Sequence, residues 1–253
     1  MAQPPPGGLD GRVTSSTTLP LLDETVLATT RYLAALTRLD ERSLRAPSLL
    51  PGWSRAHVVA HLSRNADAFA RVLSQAAAAE QASMYESQEA RNEDIEATVA
   101  RCTCEQLVAD AEESSRRLED AWRAGDADPA TPYSRVPGGP ETFPLSSVGP
   151  RRRAEVEIHH ADLGIGYLPT DWPPDFAAGL VAQRQGELAV QPDGGPSMVL
   201  SSTDVEGLWK LGRGQGPEIH GRIGDLAWWL VGRGDGSSLS CSPGPLPVLG
   251  AWR

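Results

Sequence analysis

Two short stretches, about a hundred residues apart, constrain this chain more than anything else in it. The first is Trp53-Ser-Arg-Ala-His57-Val-Val-Ala-His61-Leu-Ser-Arg-Asn65-Ala-Asp67, and the second is Glu155-Val-Glu157-Ile-His159-His160-Ala-Asp162. Four of the five histidines fall in these two segments. Both read as helix, and neutral imidazole with carboxylate is a ligand set that Zn²⁺ or a similar divalent ion accepts. The fold must therefore bring two distant helices face to face.

Helical geometry narrows the choice of ligands. At about 100° per residue, Val58, Leu62, Asn65, Phe69, Val72 and Leu73 share one core-facing stripe. His61 lies on its flank, about 60° from Val58, and His57 about 40° further toward solvent. His61 is thus the better placed to point inward, although residues four apart share a face and His57 could join it. On the second helix Glu155 and His159 stand four apart, and Glu157 and His160 three apart, so spacing permits either pair. His160 aligns with Val156 and Leu163 on the apolar side and reads as packed. One histidine from the first helix and a Glu-His pair from the second give an open three-ligand set with a position left for water or substrate.

The surrounding pattern is mostly helical. Apolar positions predict helices over 19–39, from the N-cap Ser54 to about residue 80, over 87–101 and over 103–124. Between Gly125 and Pro150 the composition shifts to Pro, Gly, Ser, Thr and Asp, which reads as a long loop. A helix over 151–163 carries the second histidine cluster, and Tyr167-Leu-Pro-Thr-Asp-Trp-Pro-Pro174 follows as a linker. Beyond it the pattern predicts a helix over 176–187, strands over 198–202, 207–212, 218–222 and 238–241, and a short helix over 225–233. The expected fold is α+β and two-domain: a disordered leader over 1–18, a four-helix bundle over 19–166 and a small α+β domain over 175–253.

Composition excludes some partners. The net charge is −10 with a pI near 5.0, and the one dense basic run is Arg151-Arg152-Arg153, which disfavours nucleic acid or an anionic membrane as partner. No stretch reaches the roughly 18–20 apolar residues needed to span a bilayer, and the Pro-rich start does not read as a signal peptide. Cys102, Cys104 and Cys241 do not form a disulfide framework, which suits a cytoplasmic location. On one helix Cys102 and Cys104 would point about 200° apart, so ordinary packing explains them better than chelation.

The run Pro51-Gly-Trp-Ser-Arg-Ala-His57-Val-Val-Ala-His61-Leu-Ser-Arg-Asn-Ala-Asp67 resembles the N-terminal signature of the mycothiol-dependent maleylpyruvate isomerase family, of the DinB-like superfamily of metal-binding four-helix bundles. Met84-Tyr85 with Glu89-Ala-Arg91 and Asp94-Ile-Glu96, the segment Glu155 to Gly164, and Trp229-Leu-Val-Gly-Arg233 with Leu246-Pro247 to Trp252 agree in the same order. The resemblance implies His61, Glu155 and His159 as ligands of zinc, a sterol-carrier-like second domain, and mycothiol as thiol cosubstrate. It implies catalytic roles for Arg91 and Arg233, with Arg233 also at the cosubstrate. The competing structural readings are a surface ion pair for Arg91 among Glu89, Glu93 and Glu96, and helix capping for the Gly-Arg at 232–233.

Two departures stand beside the expected pocket: Ala154 where the family commonly has arginine, and the long Pro/Gly segment 133–150. They leave open a mycothiol S-transferase in place of an isomerase. A hydrolase using metal-activated water and a non-catalytic ligand-binding module with a structural metal are the remaining alternatives. A monomer or small homo-oligomer acting on a small molecule fits all of them.

Overall fold

The computed structural model describes residues 22–125, 127–190 and 195–249. The leader expected over 1–18 lies outside them. The first helix, α1, spans Leu22–Leu36, and α2 is one short turn over Glu41–Arg45. Next come α3 (Arg55–Ala77), β1 (Ala82–Ser83), α4 (Gln88–Arg101) and α5 (Cys104–Ala124). Two strands, β2 (Pro132–Ser134) and β3 (Thr142–Pro144), precede α6 (Val148–Asp162).

Helix α3 is the axis of this half, packing on α4, α5 and α6, while α1 closes the bundle against α5 and α6. Its apolar positions, including Val58, Leu62, Phe69 and Val72, are buried with Tyr32, Leu107 and Val156 of the other helices. Helix starts follow local chemistry. The Thr103 hydroxyl accepts from the Gln106 N–H, and the Gln106 side chain accepts in return from the Thr103 N–H, a reciprocal cap that satisfies two otherwise orphaned donors. Cys102 ends α4 and Cys104 begins α5, so they do not share a helix, and all three cysteines are free.

The segment expected to be a loop over 125–150 is more ordered than its composition suggests. Strands β2 and β3 pair antiparallel with Tyr133 opposite Phe143, and β1 pairs parallel with β2. Tyr133 is buried against Phe69 and Phe143, and its hydroxyl is 3.2 Å from Ser147 Oγ. One buried aromatic thus anchors a Pro/Gly-rich excursion. Helix α6 begins at Val148, earlier than expected, because Pro150 sits in the first turn, where its missing N–H costs nothing.

After a turn over 169–171 come α7 (Pro174–Ala189), β4 (Met198–Ser202), β5 (Leu208–Leu211), β6 (Glu218–Gly221), α8 (Ile223–Leu230) and β7 (Ser240–Ser242). The sheet order is β5-β4-β6-β7, parallel only between β4 and β6. Met198 and Leu200 alternate inward on β4 and meet Leu211 and Ile219 under α7 and α8. The same core takes in Ile158 and Ala161 of α6. Helix α6 is therefore packed on two sides, with Val156 in the bundle and Ile158 in the α+β core. Among the described residues no helix is long and apolar enough to cross a membrane.

Candidate metal centre

Three side chains converge where α3 faces α6. His61 Nε2 lies 2.9 Å from Glu155 Oε2 and 3.2 Å from His159 Nε2, and the remaining separation, Glu155 Oε2 to His159 Nε2, is 3.3 Å. One donor atom from each residue fits within 4.8 Å of the others. Of the two pairs that spacing left open on α6, Glu155 and His159 face His61. Glu157 instead turns to Arg31 and to the Tyr167 hydroxyl, and His160 stacks on the Tyr167 ring at 4.0 Å. His57 is not in the cluster: its Nδ1 accepts from the Ser54 N–H at 3.1 Å as part of the α3 start, and its Nε2 is 3.4 Å from Glu96.

The hydrogen bonds around the cluster assign the ring protons. His159 Nδ1 donates to Asp162 Oδ2 at 2.9 Å, which leaves the Nε2 lone pair aimed at His61 and Glu155. A carboxylate behind a histidine is the usual support of a metal ligand, since it fixes the tautomer and ring orientation. His61 Nδ1 faces the Arg91 guanidinium at 2.9 Å. A guanidinium only donates, so this nitrogen accepts and the His61 proton sits on Nε2, toward Glu155. An ion sharing the three atoms requires that proton to leave. Trp53 covers His61 edge-on, ring centroids 5.7 Å apart.

Electrostatics agree with this picture. Burial pushes the His61 imidazole down to about 4, only partly offset by Glu155. Burial acts in the same direction on His159, but its contacts with Asp162 and Glu155 outweigh it and the pKa is raised. Burial alone would raise the Glu155 carboxyl; hydrogen bonds to His159 and His61 prevail and hold it well below the ordinary range. The donor set is one carboxylate, one imidazole that burial keeps neutral and one imidazole whose carboxylate neighbours favour its charged form, so a divalent cation would bind here by displacing ring protons.

The arginines reach the cluster by different routes. Arg91 turns inward from α4, toward His61 Nδ1 and over the Tyr85 ring at 5.8 Å, instead of pairing with its glutamate neighbours. Arg233 follows α8 in a turn where Gly232 has φ +70°, with the Gly232 N–H bonded to the Trp229 carbonyl and the Arg233 N–H to the Trp228 carbonyl. The Gly-Arg pair thus caps the helix with its backbone. Its side chain remains available, and Nε donates to Asp162 Oδ2 at 3.2 Å. Asp162, fully buried, therefore serves both His159 and Arg233. Docking of α8 needs a glycine, because a Cβ at Gly224 would stand 2.0 Å from the Pro169 carbonyl oxygen.

Sequence reasoning gave no role to Asp162 or to Arg135. Asp162 was in view three residues past His159, the spacing for a carboxylate to reach Nδ1. Arg135 carried no signal in a Pro/Gly-rich segment, yet it lines the cavity holding His61, Glu155, His159, Arg91 and Arg233.

Comparison with known proteins places these features in context. The family model described as the mycothiol maleylpyruvate isomerase N-terminal domain matches residues 26–164. Two solved structures, of the mycothiol-dependent maleylpyruvate isomerase and of a histidine-to-alanine mutant of it, align with a TM-score of 0.81 at 29% identity. Each alignment covers 92% of this chain and 98% of the other. No curated protein matches the chain.

Proposed function

The chain belongs to the mycothiol maleylpyruvate isomerase family, and from that membership we propose that it is a mycothiol-dependent isomerase of maleylpyruvate or of a close analogue. The observation that carries the reading is the His61–Glu155–His159 convergence, with its Asp162 support, inside a cavity that three arginines, Arg91, Arg135 and Arg233, also line. We assign those three residues as ligands of a divalent metal, with zinc the expected ion. When bound, such an ion supplies the positive charge that favours thiolate over thiol near neutral pH.

The protein's own groups account for the rest. Glu155 and His159 line two adjoining cavities, so a thiol and an electrophile can approach the same atoms. The thiol sulfur adds to one carbon of the cis double bond, the electron pair moves onto the conjugated carbonyl, and the remaining single bond rotates. Expulsion of the sulfur restores the double bond in the trans form. Arg91 and Arg233 bind the substrate carboxylates and offset the negative charge of the enolate. Asp162 holds Arg233 and His159 in register. Trp53, Met84 and Leu50 wall the cavity and reduce access of water to the enolate. The bundle over 19–166 and the α+β part over 175–253 act in this reading as two domains sharing one site.

Replacing His61 by Ala tests the assignment. Expected are loss of stoichiometric zinc by elemental analysis and a fall of at least about 100-fold in mycothiol-dependent turnover, with an unchanged circular dichroism spectrum. Zinc retained at one per chain would contradict it. An S-transferase differs in outcome: it would yield a stable thioether on an electrophile and leave maleylpyruvate unconverted.

A further inference from the structure

Glu155 and His159 line two adjoining cavities. The smaller, about 340 Å³, is the one already described, lined by Trp53, Tyr85, Arg91 and Arg233. The larger, about 410 Å³, adjoins it along the same face of α6, with α7 contributing to its wall, and its further polar lining comes from Ser147, Arg151, Gln183 and Glu187. The two share three residues: Arg135, Glu155 and His159. Each volume falls within the range of small-molecule sites, roughly 300–1,000 Å³, and suits one ligand of moderate size.

We propose that the larger cavity binds the polyol-glycoside body of the thiol cosubstrate, the smaller binds the anionic electrophile, and Arg135 stands between them. This rests on the mycothiol-dependent reading above and adds to it where each reactant sits. The smaller cavity offers aromatic and apolar walls with fixed cations, which suits a flat, conjugated carboxylate. The larger offers a hydroxyl, a carboxamide, a carboxylate and a guanidinium, donors and acceptors side by side, which suits a ligand made of hydroxyl groups. A thiol reaching in from the larger cavity and an electrophile from the smaller would meet at Glu155 and His159, which line both. Ala154 lines the larger cavity with a methyl group, so the turn of α6 before Glu155 leaves room for the incoming chain.

Two exposed side chains make the test. Among the described residues Gln183 bonds the neighbouring Glu187, at 2.8 Å, and Arg151 lies over the Phe143 ring at 3.6 Å. The double variant Gln183→Leu, Arg151→Leu is measured as the zinc-loaded enzyme with mycothiol and maleylpyruvate. In parallel, the metal-free protein is titrated calorimetrically with S-methyl mycothiol, which has no thiol to ionise. Expected are a KM for mycothiol raised at least fivefold, a KM for maleylpyruvate within twofold of the parent, and a matching loss of S-methyl mycothiol affinity. Arg91→Met should show the opposite split. A double variant that raises only the KM for maleylpyruvate, or changes neither constant, overturns the cavity assignment while mycothiol-dependent turnover by the parent leaves the proposed function standing. A parent protein with no mycothiol-dependent turnover and no S-methyl mycothiol binding overturns the function itself, and the assignment with it.

Discussion

Asp162 shows how much one residue can hold. Its Oδ2 accepts from both His159 Nδ1 and Arg233 Nε, and its Oδ1 has no hydrogen-bond partner among the described residues. Asp162→Asn preserves shape but removes the charge that both neighbours use, so zinc affinity should fall about 10–100-fold, as measured by chelator competition. Arg91 works in the other direction. Its contact with His61 Nδ1 keeps the ring proton on Nε2, where an ion would bind, so Arg91→Met should leave zinc affinity equal or higher while lowering kcat/KM. A variant that loses zinc would assign Arg91 to the metal site instead. Protons compete here too. His61 and His160 are both held down to about 4 by burial, against about 6.5 in an unfolded chain. Their contribution to stability is thus complete above pH 6.5 and lost as pH falls toward 4. His159, raised, has the opposite sign: its contribution is present below 6.5 and fades as pH rises through its folded value. His160→Phe should therefore reduce the loss of stability between pH 7.5 and pH 5 by about 2 kcal/mol in urea titrations. An unchanged loss would show that His160 titrates normally.

Helix α6 explains why the second motif was hard to read alone. An amphipathic helix shows one apolar stripe, but α6 is covered on both sides and still carries Arg152, Arg153, Glu157, His160 and Asp162 among its buried residues. Three of them are matched by partners outside the helix, Arg152 by the Leu62 carbonyl and Asn65, Arg153 by Asp175 and Glu157 by Arg31 and Tyr167, whereas His160 stacks on Tyr167 with neither ring nitrogen hydrogen-bonded among the described residues. Periodicity cannot show such pairs. The Glu155–His159 spacing is legible, and helix angles favour that pair by placing His160 on the apolar side, but the full ligand set came only with the resemblance. The hairpin over 132–144 was missed because its strands are three residues long and its one strong core residue is Tyr133. Tyr133→Ala should remove about 3–5 kcal/mol of stability in urea unfolding, the range for a buried aromatic. A loss below about 1 kcal/mol would mean that the hairpin is held by its turns and not by this ring.

At the scale of the molecule, the long helices and the succession of helices and strands along the second half followed from apolar periodicity and Gly/Pro punctuation, because each is a local signal. What no local signal carries is the meeting of the halves: Ile158 and Ala161 of α6 inside the α+β core, and Arg233 against Asp162 across 71 residues of sequence. That contact makes the second half part of the site. Arg233→Leu should therefore lower kcat/KM about 10²–10³-fold with zinc still bound by elemental analysis; loss of zinc would show that Arg233 acts only through Asp162. Whether the His61–Glu155–His159 cluster supports thiol-dependent isomerisation is decided by following the zinc-loaded protein with maleylpyruvate by proton NMR, with and without mycothiol. Formation of the trans isomer only in the presence of mycothiol, and its loss on chelation of the metal, is the result expected here. Turnover that proceeds equally without the thiol, or that survives chelation, would contradict it.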